Sequence, residues 1–177
     1  LEILGVVVPD RYGAAGGFVK PVNFQVFSGI PAVGEVYRHE IAHIVFLPIL
    51  RGSGTSLLAS EGVPTWFGGT AGRDFQGSVR HLAAQLRSDP RLTLDRIVDD
   101  MSVSSDVRNS AGAALAQLVH EAGGVNAVRE YMRTPERGMR DVLVRLLRRP
   151  WPTIAEDWRR RVNRIAATYR RLQQKQT

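Results

Sequence analysis

The amino-acid sequence predicts an α+β fold, in which a small, mainly antiparallel sheet and a long helix precede a helical lobe. Two observations lead to this prediction. The first thirty residues are rich in β-branched and turn-forming residues, and their apolar side chains alternate. After Pro31, apolar residues recur with the helical period. The length of 177 residues suits one domain, with the sheet and two motif helices in 1–70 and the helical lobe in 71–177.

The predicted sheet begins near the first residue. Residues 6–8 are three valines in a row, and the turn-rich segment 12–17 follows them. Apolar side chains then occupy even positions in 18–27. Pro21 lies within this segment and cannot donate a hydrogen bond to a neighbouring strand, so 18–27 is predicted to be an edge strand.

Seven helices are predicted in the rest of the chain. Asp74 is a favourable N-cap for the third, and Thr153 with Glu156 forms a capping-box pattern at the start of the last. Gly123-Gly124 is expected to end the fifth. The approximate ranges are 32–47, 56–67, 74–86, a short helix after Thr93, 106–122, 135–149 and 153–174.

The composition excludes several classes of protein. Apolar residues make up 44% of the chain and charged residues 23%, as in globular domains and unlike disordered chains. Because there is no cysteine, a disulfide scaffold, a thiolate metal site and a cysteine nucleophile are excluded. The apolar runs are too short for a membrane span, and no segment resembles a signal peptide. The chain begins without Met, so we expect a fragment of a longer or processed protein.

The net charge of +7 is unevenly distributed along the chain. Residues 129–177 contain 14 Lys+Arg and 5 acidic residues, whereas residues 1–128 contain 10 and 12. A basic third of this kind is typical of proteins that bind nucleic acid or an anionic membrane surface. The arginines at 159–161 flank an apolar helical stripe, however, and this pattern also fits a solvated helix surface.

The segment 37–46 contains the pattern H-E-x-x-H on a predicted helix. His39 and His43 lie one turn apart on the same face, with Cβ atoms roughly 5–6 Å apart, so both imidazoles can bind one ion. Glu40 is rotated by about 100° from His39. It can therefore take a proton from a metal-bound water without being a ligand itself.

Chance does not explain this pattern well. With 4 histidines and 8 glutamates in the chain, random order gives roughly 0.004 such matches. The alternative is an amphipathic helix with two core histidines. That arrangement leaves buried polar groups without partners among apolar neighbours such as Ile41 and Ile44. A bound metal ion removes this cost, so the pattern favours a metal site.

A catalytic zinc usually has three protein ligands and one open position. A metzincin would place glycine at position 46 and histidine at position 49, but the chain has Phe46 and Ile49, which excludes that class. A gluzincin supplies a glutamate from a following helix. Glu61 lies 18 positions after His43 on the predicted helix 56–67 and is the candidate third ligand.

Two segments together resemble the gluzincin metallopeptidases, and specifically their peptidase-MA-like bacterial branch: R-H-E-I-A-H-I-V-F at 38–46 and L-L-A-S-E-G-V-P-T-W-F at 57–67. In that family the glutamate of the second segment is the third zinc ligand, and Glu61 occupies its position. Pro64 departs from the usual pattern. The resemblance implies a zincin-like fold, one Zn²⁺ ion bound by His39, His43 and Glu61, and hydrolysis of peptide bonds with Glu40 as the general base.

The oxyanion-stabilising residue is not identified by the sequence. Gluzincins generally supply a Tyr or a His from a later helix, but Val107, Arg108 and Asn109 occupy the corresponding place before Ser110. Arg108 and His120 are the candidates. If neither serves, the enzyme would be slow or the site inactive.

The expected partner is a peptide or protein substrate that pairs with the edge strand 18–27. Two other functions stay open: a weakly active or inactive zincin-like binding protein, and an Arg-rich nucleic-acid binder. The last is less favoured because no segment resembles a nucleic-acid module.

Membrane contact is open through a missing N-terminus or the basic helical tail. The sequence leaves the location unknown, although an extracytoplasmic or membrane-associated location of a bacterial-type protein is favoured over others. Oligomeric state and endo- or exopeptidase action are left open.

Overall fold

The described part of the chain is built mostly of helices, so the predicted α+β class is wrong. The computed structural model describes residues 8–9, 15–16, 38–43, 45–46 and 55–174. Strand pairing within these ranges consists of β1 (Val8–Pro9) against antiparallel β2 (Ala15–Gly16) and of two isolated bridges, Thr55 with Pro135 and Thr70 with Arg73. A pair this short cannot form a layer of the core, because stable sheets need longer strands and more of them. The predicted edge strand 18–27 lies outside the described residues.

Helical residues 38–43 and 45–46 form α1, which carries the H-E-x-x-H pattern. Seven helices follow in the range 55–174: α2 (Leu57–Ser60), α3 (Gly62–Gly68), α4 (Phe75–Ser88), α5 (Leu94–Asp99), α6 (Ser105–Met132), α7 (Met139–Leu147) and α8 (Trp151–Gln174). The predicted helix 56–67 is therefore two short helices that meet at Glu61.

The side-chain caps of three helices match the chemistry of their sequences. Ser56 accepts a hydrogen bond from the Leu58 amide at 3.1 Å, Asp74 from Gly77 at 2.6 Å, and Thr93 from Arg96 at 3.3 Å. Each cap satisfies an amide that the first helical turn leaves unpaired. The prediction of an Asp74 cap is confirmed.

One predicted helix end is confirmed, and one predicted helix start is wrong. The backbone is non-helical at Gly124 (φ 63°, ψ −156°), so the helix that begins at Ser105 ends at the predicted Gly123-Gly124 pair, and a second helical segment follows at once and completes α6 at Met132. Helix α8 begins at Trp151, so Thr153 lies inside its first turn and is not the N-cap. Proline is tolerated in a first turn because its missing amide would be unpaired there anyway, and Pro152 therefore does not delay the start.

The core surrounds α6, which packs against α2, α3, α4, α5, α7 and α8. The apolar stripe of α8 docks on this body: Ile154, Trp158 and Val162 are buried, and the Trp158 indole donates a hydrogen bond to the Ala111 carbonyl at 3.2 Å. Within the described residues, no helix combines the length and apolar character needed to cross a membrane.

Candidate metal centre

Three donor side chains from two parts of the chain converge on one point. His39 and His43 extend from α1, and Glu61 lies at the junction between α2 and α3. The imidazole rings meet edge to face, with centroids 4.8 Å apart. Among the described residues these are the three that could hold a metal ion together. The structure thus brings together the three residues that the sequence singled out as ligands.

The distances between the donor atoms fit a tetrahedral ion. The two Nε2 atoms are 3.1 Å apart, and Glu61 Oε2 is 3.4 Å from His39 Nε2 and 3.3 Å from His43 Nε2. Bonds of 2.0–2.1 Å at tetrahedral angles separate neighbouring ligands by about 3.3–3.4 Å. Two imidazoles and one carboxylate suit zinc, but several other divalent metals accept the same set, so the ligands alone do not identify the ion.

A backbone carbonyl sets the orientation of the His39 ring. The Nδ1 atom lies 2.7 Å from the Gly69 carbonyl oxygen. Because a carbonyl only accepts a hydrogen bond, Nδ1 must carry the proton. In the neutral ring the lone pair of Nε2 is then free to bind a metal ion together with His43 and Glu61. A hydrogen bond on the far side of a ligating histidine is the usual way of fixing its tautomer and angle.

Helix α1 lies directly against the end of α3. A Cβ atom placed on Gly68 would be 2.1 Å from the His39 amide nitrogen, so only glycine permits this approach. Gly69, with φ 75°, caps α3 and donates its amide to the Thr65 carbonyl at 2.8 Å. The Gly68-Gly69 pair therefore brings the helix of the histidines to the helix that follows Glu61.

A second close contact holds Glu61 against the helical body. A Cβ on Gly112 of α6 would lie 1.9 Å from the Leu58 carbonyl oxygen, and one on Gly62 would lie 2.5 Å from the Gly112 carbonyl carbon. The buried Tyr131 hydroxyl reaches both carbonyls of this crossing, Leu58 at 3.3 Å and Gly112 at 3.2 Å. Burial raises the pKa of Tyr131, so the hydroxyl remains a donor.

The electrostatics of the cluster favour an ionised Glu61. Burial alone would raise the pKa of its carboxyl, but the hydrogen bonds and positive charge that protonated His39 and His43 supply in the metal-free cluster lower it to about 2. Burial pushes the pKa of His43 down, but the hydrogen bond to Glu61 and the charges of Glu61 and Glu40 leave it raised. The carboxylate is thus held ready as an anionic ligand.

Glu40 lies beside this cluster on α1 and is half-buried. Burial raises the pKa of its carboxyl, and the charges of His39 and His43 only partly offset that rise, whereas Glu61 adds to it. A raised pKa makes a carboxylate a better proton acceptor near neutral pH.

Both candidates for oxyanion stabilisation have other partners in the structure. Arg108 is buried, forms an ion pair with Glu136 and contacts the Met101 sulfur. His120 is exposed, and its ring lies 5.3 Å from that of Trp66 on α3. No described contact joins either side chain to the donor cluster.

Several positioning residues were missed by sequence reasoning. The predicted helix 56–67 stops just before Gly68-Gly69, and two adjacent glycines also indicate a close backbone approach. Gly112 lies in a run of small residues from Ser110 to Ala114, and such runs allow helices to pack at short distance. The pattern does not specify the opposing segment, so Gly62 could not be identified as its partner.

No family model, no curated protein and no solved structure matches the chain. The resemblance to gluzincins therefore stays a prediction from the motif residues of the sequence.

Proposed function

We propose that the chain is a zinc-dependent peptidase of the gluzincin type. His39, His43 and Glu61 would hold the ion, and Glu40 would act as general base. The observation that carries the proposal is the triangle of donor atoms, with sides of 3.1–3.4 Å, formed by two residues of α1 and one residue at the α2–α3 junction. A cluster of two histidines and a carboxylate without a cation would instead have to share protons among three close polar atoms.

The residues of this chain divide the catalytic work. When bound, a zinc ion lowers the pKa of a coordinated water and polarises a substrate carbonyl. Glu40 accepts the proton of the attacking water and later gives it to the leaving amine. The Gly69 carbonyl keeps the His39 ring in one tautomer, with Nε2 directed to the cluster. The α2–α3 junction holds Glu61 at its distance from both histidines.

A comparison of two glutamate variants tests the proposal. Metal analysis of the purified protein should find one zinc per chain, and peptide hydrolysis should disappear with a chelator and return with zinc. Glu40→Gln should retain zinc and lose hydrolysis, because the amide cannot accept the proton. Glu156→Gln, an exposed change of the same kind on α8, is the matched control and should cleave normally. Unchanged hydrolysis by Glu40→Gln would refute the mechanism.

A metal-binding protein without peptidase activity is the second candidate. It is favoured by the placement of Arg108 and His120, since the first is paired with Glu136 and the second packs on Trp66. Stoichiometric zinc without cleavage of a broad peptide library would support this candidate over the peptidase.

Nucleic-acid binding gains little support from the basic third of the chain. Many of its arginines already face carboxylates within 4 Å, and such pairing lowers the charge that phosphates would meet. The pairs are Arg140 with Asp95 and Asp99, Arg145 with Glu130, Arg149 with Asp157, Arg160 with Glu156 and Asp157, and Arg161 with Glu121.

A further inference from the structure

A tight turn at 70–73 directly follows the glycine that contacts His39. Thr70 and Arg73 exchange two backbone hydrogen bonds of 2.9 and 3.0 Å across it. The residues between them have positive φ, 50° for Ala71 and 73° for Gly72. The Ser78 hydroxyl accepts a hydrogen bond from the Thr70 amide at 3.2 Å, which joins the turn to α4.

The side chain of Arg73 ties this turn to the central helix. Its Nη2 atom lies 2.5 and 2.6 Å from the two carboxylate oxygens of Asp106, in the first turn of α6. The pair is about two-thirds buried, so it is shielded from salt better than a surface ion pair. His81 of α4 approaches the same carboxylate, with its Nε2 atom at 3.2 Å.

The turn also determines where the Gly69 carbonyl points. A Cβ on Gly69 would lie 1.8 Å from the Arg73 carbonyl oxygen, so the two backbones are in direct contact. A continuous path of contacts therefore leads from Asp106 through Arg73 and Gly69 to His39 Nδ1.

We infer that Arg73 and Asp106 act as a positioning pair for the metal centre. By holding the turn on α6, they keep the Gly69 carbonyl at hydrogen-bond distance from His39 and thereby direct Nε2 to the other donors. The part of this inference that concerns zinc rests on the proposed function, whereas the orientation of His39 does not. Loss of such outer contacts typically weakens metal binding by about 10–100-fold.

The experiment compares Arg73→Ala and Arg73→Lys with a control, Arg87→Ala. The control removes an exposed arginine from the last turn of α4, the helix that follows the 70–73 turn. Zinc affinity is measured by competition with a fluorescent chelator. The His39 Nδ1–H signal is followed by NMR in the zinc-free protein. We expect Arg73→Ala to weaken zinc binding about tenfold and to shift or lose this signal. Arg73→Lys should be intermediate, because an ammonium keeps the charge but not the guanidinium geometry. Arg87→Ala should match the wild type.

The outcomes separate this inference from the proposed function. If the wild type binds no zinc, the proposed function fails, and the NMR signal still tests the positioning of His39. If Arg73→Ala only lowers the melting temperature and leaves affinity and signal unchanged, the pair is merely structural and the inference is overturned. Should Arg73→Ala fail to fold, Asp106→Asn tests the same contact with nearly unchanged side-chain size, and a wild-type signal in it is equally decisive.

Discussion

Replacing Gly112 by alanine should disturb the metal centre from a distance. The new Cβ would lie 1.9 Å from the Leu58 carbonyl oxygen and 3.0 Å from the Gly62 Cα. Carbon atoms of side chains essentially never approach other atoms below 3.0 Å. The neighbours at this crossing are backbone atoms and cannot rotate away. Helices α2 and α6 must therefore separate by about 1 Å, as far as van der Waals contact requires.

Glu61 would move with that separation, because it lies between Leu58 and Gly62 in the chain. Ligand distances in metal sites agree with their ideal values to within about 0.2 Å. A shift of about 1 Å should remove the third ligand and weaken zinc binding by at least the 10–100-fold seen for lesser changes. Overpacking should also cost about 1–3 kcal/mol of stability. The better helix propensity of alanine offsets up to about 1 kcal/mol of that cost.

Two measurements check this prediction. Denaturant unfolding of the zinc-free protein gives the change in stability, and competition with a chelator gives the change in zinc affinity. Asn126→Ala is the control, since it raises helix propensity at an exposed position of α6. If Gly112→Ala is as stable as this control and binds zinc like the wild type, the two helices do not cross as closely as described, and the account of how Glu61 is held is wrong.

Two further perturbations test the helical body and the cluster. Trp158→Ala empties a fully buried site and removes the hydrogen bond from the indole to the Ala111 carbonyl, so denaturant unfolding should show a loss of about 3–5 kcal/mol; a loss below about 1 kcal/mol would contradict the docking of α8. The pKa of the Glu61 carboxyl is about 2 in the folded protein, against an ordinary value of 4.5. Between these two pH values the folded zinc-free protein therefore binds fewer protons than the unfolded chain. Its stability should fall as the pH is lowered from about 4.5 towards 2, and Glu61→Gln should flatten the decline measured by unfolding; an unchanged slope would contradict the pairing with the histidines.

The candidate ligands could be predicted because their chemistry is local in sequence. An i, i+4 spacing on a helix puts His39 and His43 on one face whatever the rest of the fold does. Glu61 required a further step, the family resemblance, because spacing cannot show that a second helix folds back to the first. The two glycine contacts explain how it does so: Gly68 lets α3 approach α1, and Gly112 lets α6 approach the start of α3.

The sheet was predicted from a signal that is weaker than helical periodicity. β-Propensity largely reflects packing against neighbouring strands, so valines and alternation in one stretch do not ensure that partners exist. The error at α8 has a similar origin. A capping box satisfies free amides wherever a helix begins, but Ile154 and Trp158 bury the apolar face equally well when the helix starts two residues earlier. Whether a strand finds a partner and where a helix begins depend on tertiary packing, which a local sequence pattern does not encode.

The metal centre and the helical body should behave as one cooperative unit. Helices α2 and α3 contain four and seven residues, and helices this short are not stable in isolation. The position of Glu61 therefore depends on α6, through Gly112 and the Tyr131 hydroxyl. The position of His39 depends on the same helix through Arg73 and Asp106. Both ligand segments are therefore positioned by contacts with α6, and a change that loosens this helix separates the donor atoms. An ion that binds these atoms adds its binding free energy to the stability of the whole helical body.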